Sequence, residues 1–337
     1  MGEPTNSEHK RGEVHNDPGW SRRGPCACSN LRITVRRRTP RTSQTAIRSD
    51  FAMSIQPNPA VAVRPGEHAC CRSAHADDRH RLALAFVRAG LDRSHKVTYL
   101  SGEDDAIRFI ADLIATDDRV DEALQRGQLE VNPAPREYIP DGTFDRARIR
   151  DALADTQARA LADGYSGLSL AADMSWALGL APLLEPLVEY EREVTRMLES
   201  DARLAFLCIY DHGRFGATAL AVLVESHGVD VSPELAQIGR VGYLAASRVL
   251  PGPTLRLCGE LDFGCADAVA GMLDAHYHGP LRLDLAEIRY VDVTGFRALR
   301  GKNGRRLVIT SASEPVRRLL RLLGWDTDPA IEITEAA

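Results

Sequence analysis

Two stretches decide how the last third of the chain reads: Leu255-Arg-Leu-Cys-Gly-Glu-Leu-Asp262, and Leu283-Asp-Leu-Ala-Glu-Ile-Arg-Tyr-Val-Asp-Val-Thr-Gly-Phe296. The first is an apolar run of strand length, and the second is a strand that runs into a turn at Asp292–Gly295. Working outward, Thr254–Leu261 reads as a strand, Cys265–Tyr277 as a helix and Leu281–Leu285 as the next strand. Strand Arg306–Thr310, helix Glu314–Leu323 and strand Ile331–Thr334 follow. This β-α-β-α-β alternation makes one small α/β domain over residues 242–337.

Upstream, short apolar runs again alternate with amphipathic segments, so residues 53–232 read as a larger α/β domain. Lys96–Leu100, Leu129–Val131, Leu168–Ala171 and Ala205–Tyr210 have strand character. Helical periods run over Leu82–Leu91, Asp104–Ala115, Thr143–Ala162, Leu180–Leu198 and Thr218–Glu225. Thr143 is the expected N-cap and Gly164 the stop of the third of these, and Pro133–Pro140 reads as a Pro-broken loop. The pattern weakens around Pro233–Gly242, which places a linker at 233–241.

Residues 1–52 differ from the rest. They hold ten Lys/Arg against five acids, so this head carries +5 and the remainder −10, within a net charge of −5. Lacking a sustained apolar period, the head reads as disordered, and it has no apolar core of secretory-signal length. A nucleic-acid arm, an organelle-targeting peptide, a solvated tail and upstream sequence from a start codon assigned too early all fit it. The overall acidic balance argues against a nucleic-acid binder. No stretch approaches the ~20 apolar residues of a membrane span. Seven cysteines, an odd number, point to reduced thiols and a cytoplasmic protein. Neither Cys26-Ala-Cys28 nor Cys70-Cys71 has C-x-x-C spacing, so no metal is expected.

The two opening stretches, with the closing Ser311-Ala-Ser-Glu-Pro-Val-Arg-Arg-Leu-Leu-Arg-Leu-Leu-Gly-Trp325, resemble a STAS domain, the family of anti-sigma-factor antagonists. The resemblance implies a partner, an anti-sigma factor or serine/threonine kinase-like protein. That partner would dock where a strand delivers an Asp, a hydroxyl residue and a Gly to the mouth of a helix. It also implies phosphorylation of the hydroxyl residue directly after the Asp, whose added charge repels the partner. Asp262, Asp292, Thr294 and Gly295 are the residues of that switch here. Two departures stand out: Val293 follows Asp292 and leaves Thr294 as a displaced acceptor, and Phe296–Arg300 allows barely more than one helical turn.

Residues 66–230 resemble a MEDS domain, a sensory module for simple hydrocarbon derivatives in prokaryotic regulators. The carrying residues are Gly66-Glu-His-Ala-Cys70, Phe86-Val-Arg-Ala-Gly-Leu91, Lys96-Val-Thr-Tyr-Leu100, Gly164-Tyr165, Asp173-Met-Ser-Trp176, Glu189-Tyr-Glu191, Leu207-Cys-Ile-Tyr-Asp-His-Gly-Arg-Phe215 and His227. Two details depart from the family: Asp173 stands where Glu is more usual, and Gly228 follows His227 where Pro is expected. The layout also resembles a RecA-like three-layer ATPase fold. The expected P-loop position, however, is Ser73-Ala-His-Ala-Asp-Asp-Arg-His80, with no Gly and no Lys. Two carboxylates there would repel a triphosphate, which excludes ATP hydrolysis.

These resemblances imply a small-ligand site at His68, Cys70, Trp176, Glu191, Tyr210, Asp211 and His227. The plainer alternative is a buried Cys acting as a small hydrophobe, a His satisfied by a loop carbonyl, and core aromatics. The expectation is therefore a cytoplasmic bacterial sensor coupled to a STAS output, with no catalytic residue, cofactor, membrane or direct DNA contact. A scaffold whose switch has decayed is the alternative. An enzyme built on Cys–His or metal chemistry at His68, Cys70, His75 and His80 is a third.

Overall fold

The computed structural model describes residues 63–102, 106–179, 184–232, 241–247, 254–301 and 304–334. The basic head and most of the expected linker, residues 233–240, lie outside them.

The larger part opens with β1 (His68–Ser73), α1 (Ala76–Asp92), β2 (Lys96–Ser101), α2 (Ala106–Thr116), α3 (Val120–Gln125) and β3 (Leu129–Pro133). Next come α4 (Ala134–Tyr138), α5 (Arg146–Ala162), β4 (Leu168–Asp173), a 3-10 turn at Met174–Gly179, α6 (Leu184–Ser200) and β5 (Leu204–Asp211). It closes with α7 (His212–Phe215), α8 (Ala217–Glu225) and β6 (Val229–Ser232). The five pairings that join these six strands are all parallel, as continuous apolar runs separated by helices require.

Side-chain alternation sorts the strands onto two faces. Ala69, Cys71, Val97, Tyr99, Leu207 and Ile209 pack with α1, α2 and α3 through Leu82, Phe86, Phe109, Leu113, Val120 and Ala123. Cys70, Leu100, Leu170, Phe206, Cys208 and Tyr210 face the other way, toward Tyr138, Ile149, Tyr190, Val194 and Leu220 of α4, α5, α6 and α8. A sheet covered on both sides is the three-layer arrangement expected for this part.

The smaller part consists of β7 (Val241–Ser247), β8 (Thr254–Leu261), α9 (Phe263–His276), β9 (Leu281–Val291), α10 (Val293–Arg300), β10 (Leu307–Ala312), α11 (Glu314–Leu323) and β11 (Ile331–Ile333). Strands β8 to β11 are parallel, while β7 runs antiparallel to both β6 and β8. All eleven described strands thus form one sheet, in the order β11-β10-β9-β8-β7-β6-β1-β5-β4-β2-β3. Leu255, Leu257, Leu283, Leu285, Leu307 and Ile309 supply one face of the small core, against Val269, Leu273, Phe296, Leu299, Val316 and Leu320 of its helices.

Several local readings are corrected. Helix α1 begins six residues before Leu82, because its first turn, Ala76-Asp-Asp-Arg-His80, is polar and carries no apolar period. The expected Pro133–Pro140 loop contains α4, with its proline near the N-terminus, where a missing N–H costs nothing. Asp145, not Thr143, caps α5 by accepting from the Arg148 amide at 3.2 Å. Helix α10 spans eight residues rather than barely one turn, since it starts directly after Asp292.

Candidate functional site

Helix α6 presents Val188, Glu191 and Leu198 to the sheet, and Glu191 is the charged residue on that buried stripe. It lies over β1 and β5, whose parallel register pairs His68 with Phe206 and Cys70 with Cys208. The chain turn after α8 brings His227 to the same place. His68, Glu191, Cys208 and His227 each offer a ligand-type atom, and these four atoms lie within 4.8 Å of one another. The side chains of His68, Glu191 and His227 are fully buried.

The hydrogen bonds fix how the rings point. The Thr195 hydroxyl donates to the Ser226 carbonyl at 2.7 Å, so it accepts from His68 Nδ1 at 2.8 Å. His227 Nδ1 donates to the Leu223 carbonyl at 2.7 Å. Both Nε2 atoms therefore turn inward. His68 Nε2 sits 3.3 Å from Glu191 Oε2 and 3.3 Å from Cys208 Sγ, and His227 Nε2 sits 3.5 Å from Glu191 Oε2. Tyr210 donates its hydroxyl to Glu191 Oε1 at 2.5 Å, and the Cys208 thiol lies 3.5 Å from Oε2. His227 Nε2 is buried without a hydrogen-bond partner.

Burial sets the charge state. It lowers His68 to about 3, and burial with the neighbouring His68 lowers His227 to about 3, so both rings are neutral near pH 7. The imidazole–carboxylate contacts are accordingly not ion pairs. Burial also raises Glu191, partly offset by His227, Tyr210 and Cys208, and it raises the Cys208 thiol.

Of the expected ligand contacts, His68, Glu191, Tyr210 and His227 thus meet in one place. Cys70 is also fully buried but stands outside the group of four. Trp176 packs elsewhere in the same core, its ring stacked 4.4 Å from Tyr138 and 5.3 Å from Phe144. Strand alternation turns Asp211 away from Tyr210. It caps α7 through the Gly213 and Arg214 amides and pairs with Arg79 at 2.8 Å. Arg79 also donates to the Ser73 carbonyl at 2.7 Å, so the turn where a P-loop would stand is occupied by this internal pair. Phe144 lines a cleft of about 480 Å³ with Arg146, Arg150, Pro186 and Glu193. Cys208 and Thr195 were not singled out in the sequence. The signal for Cys208 was its place two residues before Tyr210 on one strand face. For Thr195 it was the i, i+4 spacing from Glu191.

In the smaller part, Asp262 and Asp292 cap adjacent helices. Asp262 accepts from the Gly264 amide at 2.9 Å. Asp292 accepts from Gly295 at 2.7 Å through one oxygen and from Phe263 at 2.9 Å through the other, serving α10 and α9 together. Gly295 has a packing reason: a Cβ there would stand 2.1 Å from the Leu261 carbonyl oxygen. Thr294 is exposed in the first turn of α10, two residues after Asp292. Phe263, whose amide Asp292 caps, and Tyr290, two residues before Asp292, are also exposed. Val293 is half-buried.

An ionic cluster ties the two parts together. Arg256 of β8, buried, meets Glu67 at 2.6 Å and Asp284 of β9 at 3.4 Å. Arg64 meets Asp284 and Glu287, each at 2.8 Å. Glu67 immediately precedes His68 of the buried cluster.

No curated protein matches the chain. Among solved structures, it is similar to the flagellar accessory protein FlaH from Methanocaldococcus jannaschii at 12% identity, over 55% of this chain and 79% of that one, with a TM-score of 0.34. A KaiC-like protein from Pyrococcus horikoshii OT3 shares 9% identity over 62% of this chain and 86% of its own, with a TM-score of 0.38. A protein from Pyrococcus horikoshii in complex with an unknown peptide shares 14% identity over 58% and 83%, with a TM-score of 0.39. Family profiles are more specific. The MEDS profile, described as "MEthanogen/methylotroph, DcmR Sensory domain", matches residues 67–228, and a profile described as "Mlab, STAS domain" matches residues 245–334. Residues 67–228 are thus a MEDS domain, followed by a STAS domain at residues 245–334.

Proposed function

We propose that this protein is a cytoplasmic bacterial signalling regulator. Its MEDS domain binds a small, mostly apolar molecule, and its STAS domain acts as an anti-sigma-factor antagonist by binding a kinase-like anti-sigma partner. The observation that carries the reading is the pair of adjacent helix starts in the small domain, capped by Asp262 and Asp292, with Thr294 exposed in the first turn of α10 and Phe263 and Tyr290 exposed nearby in sequence. Exposed aromatic rings with a polar rim suit a protein interface. A phosphate added to Thr294 would bring about −1.5 to −2 charges against two carboxylates, a repulsion that disfavours docking of an acidic partner surface. The role is binding rather than catalysis. Cys70 and Cys208 are fully buried, so neither offers the solvent-accessible nucleophile that a Cys–His enzyme presents to substrate.

For the ligand, the support is the MEDS family match over residues 67–228; the cleft beside Phe144, lined also by Arg146, Arg150 and Glu193, is too charged to carry an apolar-ligand reading. The ionic cluster of Arg64, Glu67, Arg256, Asp284 and Glu287 gives the MEDS domain a polar route to the STAS sheet. A ligand shifts the STAS surface only by binding two arrangements of this junction unequally. Val293 favours a second reading, a non-switching scaffold that binds its partner without phosphorylation.

Affinity capture with the purified full chain, with and without short hydrocarbon derivatives, is the test. Recovery of a kinase-like anti-sigma protein, in an amount that changes with the derivative, is expected. Recovery of none under either condition contradicts the reading, and capture of such a protein without phosphorylation of Thr294 selects the scaffold.

A further inference from the structure

We propose that His68, Glu191, Cys208 and His227 are the four ligands of a buried divalent transition-metal site, with Zn2+ the ion whose preferences they meet. The donor set is two imidazoles, a thiolate and a carboxylate, which suits zinc in tetrahedral geometry. A tetrahedron with arms of about 2.0–2.3 Å has edges of roughly 3.3–3.8 Å. The separations found are 3.3 Å for His68–Glu191, 3.3 Å for His68–Cys208, 3.5 Å for Cys208–Glu191 and 3.5 Å for His227–Glu191. Four of the six edges of a coordination tetrahedron thus have the right length, and all four ligand atoms lie within 4.8 Å of one another.

A second observation points inward independently. The outer nitrogen of each ring is committed to a fixed acceptor, His68 to Thr195 and His227 to the Leu223 carbonyl. That is how metal-bound histidines are held, with Nε2 left as the donor. His227 Nε2 is then a buried lone pair with no hydrogen-bond partner, which a cation would satisfy. Tyr210 engages the Glu191 oxygen that faces away from the group, leaving Oε2 to bind.

Charge is consistent with this. A dication with one thiolate and one carboxylate sums to zero, so the loaded site places no net charge among Phe206, Tyr210 and Leu220. Binding releases the Cys208 thiol proton to solvent, together with the Glu191 proton where the acid carries one. All four positions belong to the protein, so no open position remains for substrate, as in structural zinc sites. The ligands come from β1, α6, β5 and the α8–β6 connection, so the ion would clamp four elements that are distant in sequence. That separation is why no C-x-x-C signature announces it. The inference does not depend on what the STAS domain binds.

The test is metal analysis of the full chain, purified without a histidine tag. About one zinc per chain is expected, and refolding from guanidinium and chelator with Co2+ should give a tetrahedral spectrum with thiolate charge-transfer absorption. Cys208→Ser should remove that absorption, and His227→Ala should lower bound metal tenfold or more. The double variant Cys26→Ser, Cys28→Ser should keep both metal and spectrum. A folded wild-type chain that takes up neither ion would overturn the site, as would loss of metal from the Cys26/Cys28 variant or its full retention in His227→Ala. If Cys208→Ser fails to fold, the wild-type cobalt spectrum decides: without thiolate absorption the assignment fails.

Discussion

Burial, with Arg93 as a lesser neighbour, lowers His95 to about 4, and its Nδ1 lies 2.9 Å from the Ser169 hydroxyl. In the unfolded chain the same ring takes a proton near 6.5. Between those two values the unfolded state binds the extra proton and the folded state does not, so stability falls as pH drops through this window. Above pH 6.5 His95 contributes nothing to the slope. His95→Gln is therefore expected to lose on the order of 2 kcal/mol less than wild type between about pH 7.5 and about pH 4.5, as measured by urea unfolding. Parallel stability profiles for the two proteins would show that His95 is not held neutral. At this scale the sequence was partly readable. His68, Glu191, Tyr210 and His227 are named by the MEDS resemblance, whose motifs carry them; residue pattern alone leaves each readable as a satisfied core group. Cys208 was not singled out, because a cysteine within an apolar strand reads as one more small hydrophobe. The resemblance also names Trp176 and Asp211, and packing sends each elsewhere. Only the fold separates residues that strand alternation turns to opposite faces.

Elements are governed by their ends. Asp292 sits between two helices and serves both, through Gly295 of α10 and Phe263 of α9. Replacing it with Ala removes both bonds and is expected to cost about 1–2 kcal/mol in urea unfolding, whereas Asp292→Asn keeps one acceptor oxygen and turns an NH2 donor toward the other amide, so it should recover about half of that or less. Full recovery in Asp292→Asn would mean that only one of the two helix amides depends on Asp292. Four of the six parallel strands of the larger part are legible as apolar runs, such as Lys96–Leu100 and Ala205–Tyr210, whereas β1 and β6 are missed because His68–Ser73 and Val229–Ser232 mix polar residues into short segments. Helix starts were not legible, since the first turn of α1 is polar and α4 hides between prolines. Capping chemistry explains the miss at α5. Thr143 and Asp145 both suit the role, and only the backbone direction selects Asp145.

Across the whole molecule, β6 and β7 pair antiparallel, so the MEDS and STAS sheets continue into each other. The sequence suggested a linker because the pattern weakens there, and an antiparallel strand at a junction has no helix after it to mark it. Arg256 and Arg64 add a buried and half-buried ionic seam at the same place. Breaking a buried pair of this kind by removing one partner typically costs about 3–5 kcal/mol. Such a seam can carry a ligand's preference from one domain to the other. The surface that would express it is the exposed start of α10 at Thr294. The decisive measurement is the affinity of the captured kinase-like partner for wild-type chain and for Thr294→Glu, by calorimetry at physiological salt. An added carboxylate beside Asp262 and Asp292 should weaken binding by about tenfold or more, equivalent to roughly 1.4 kcal/mol. Unchanged affinity would place the docking face elsewhere on the molecule and contradict regulation by charge at this site.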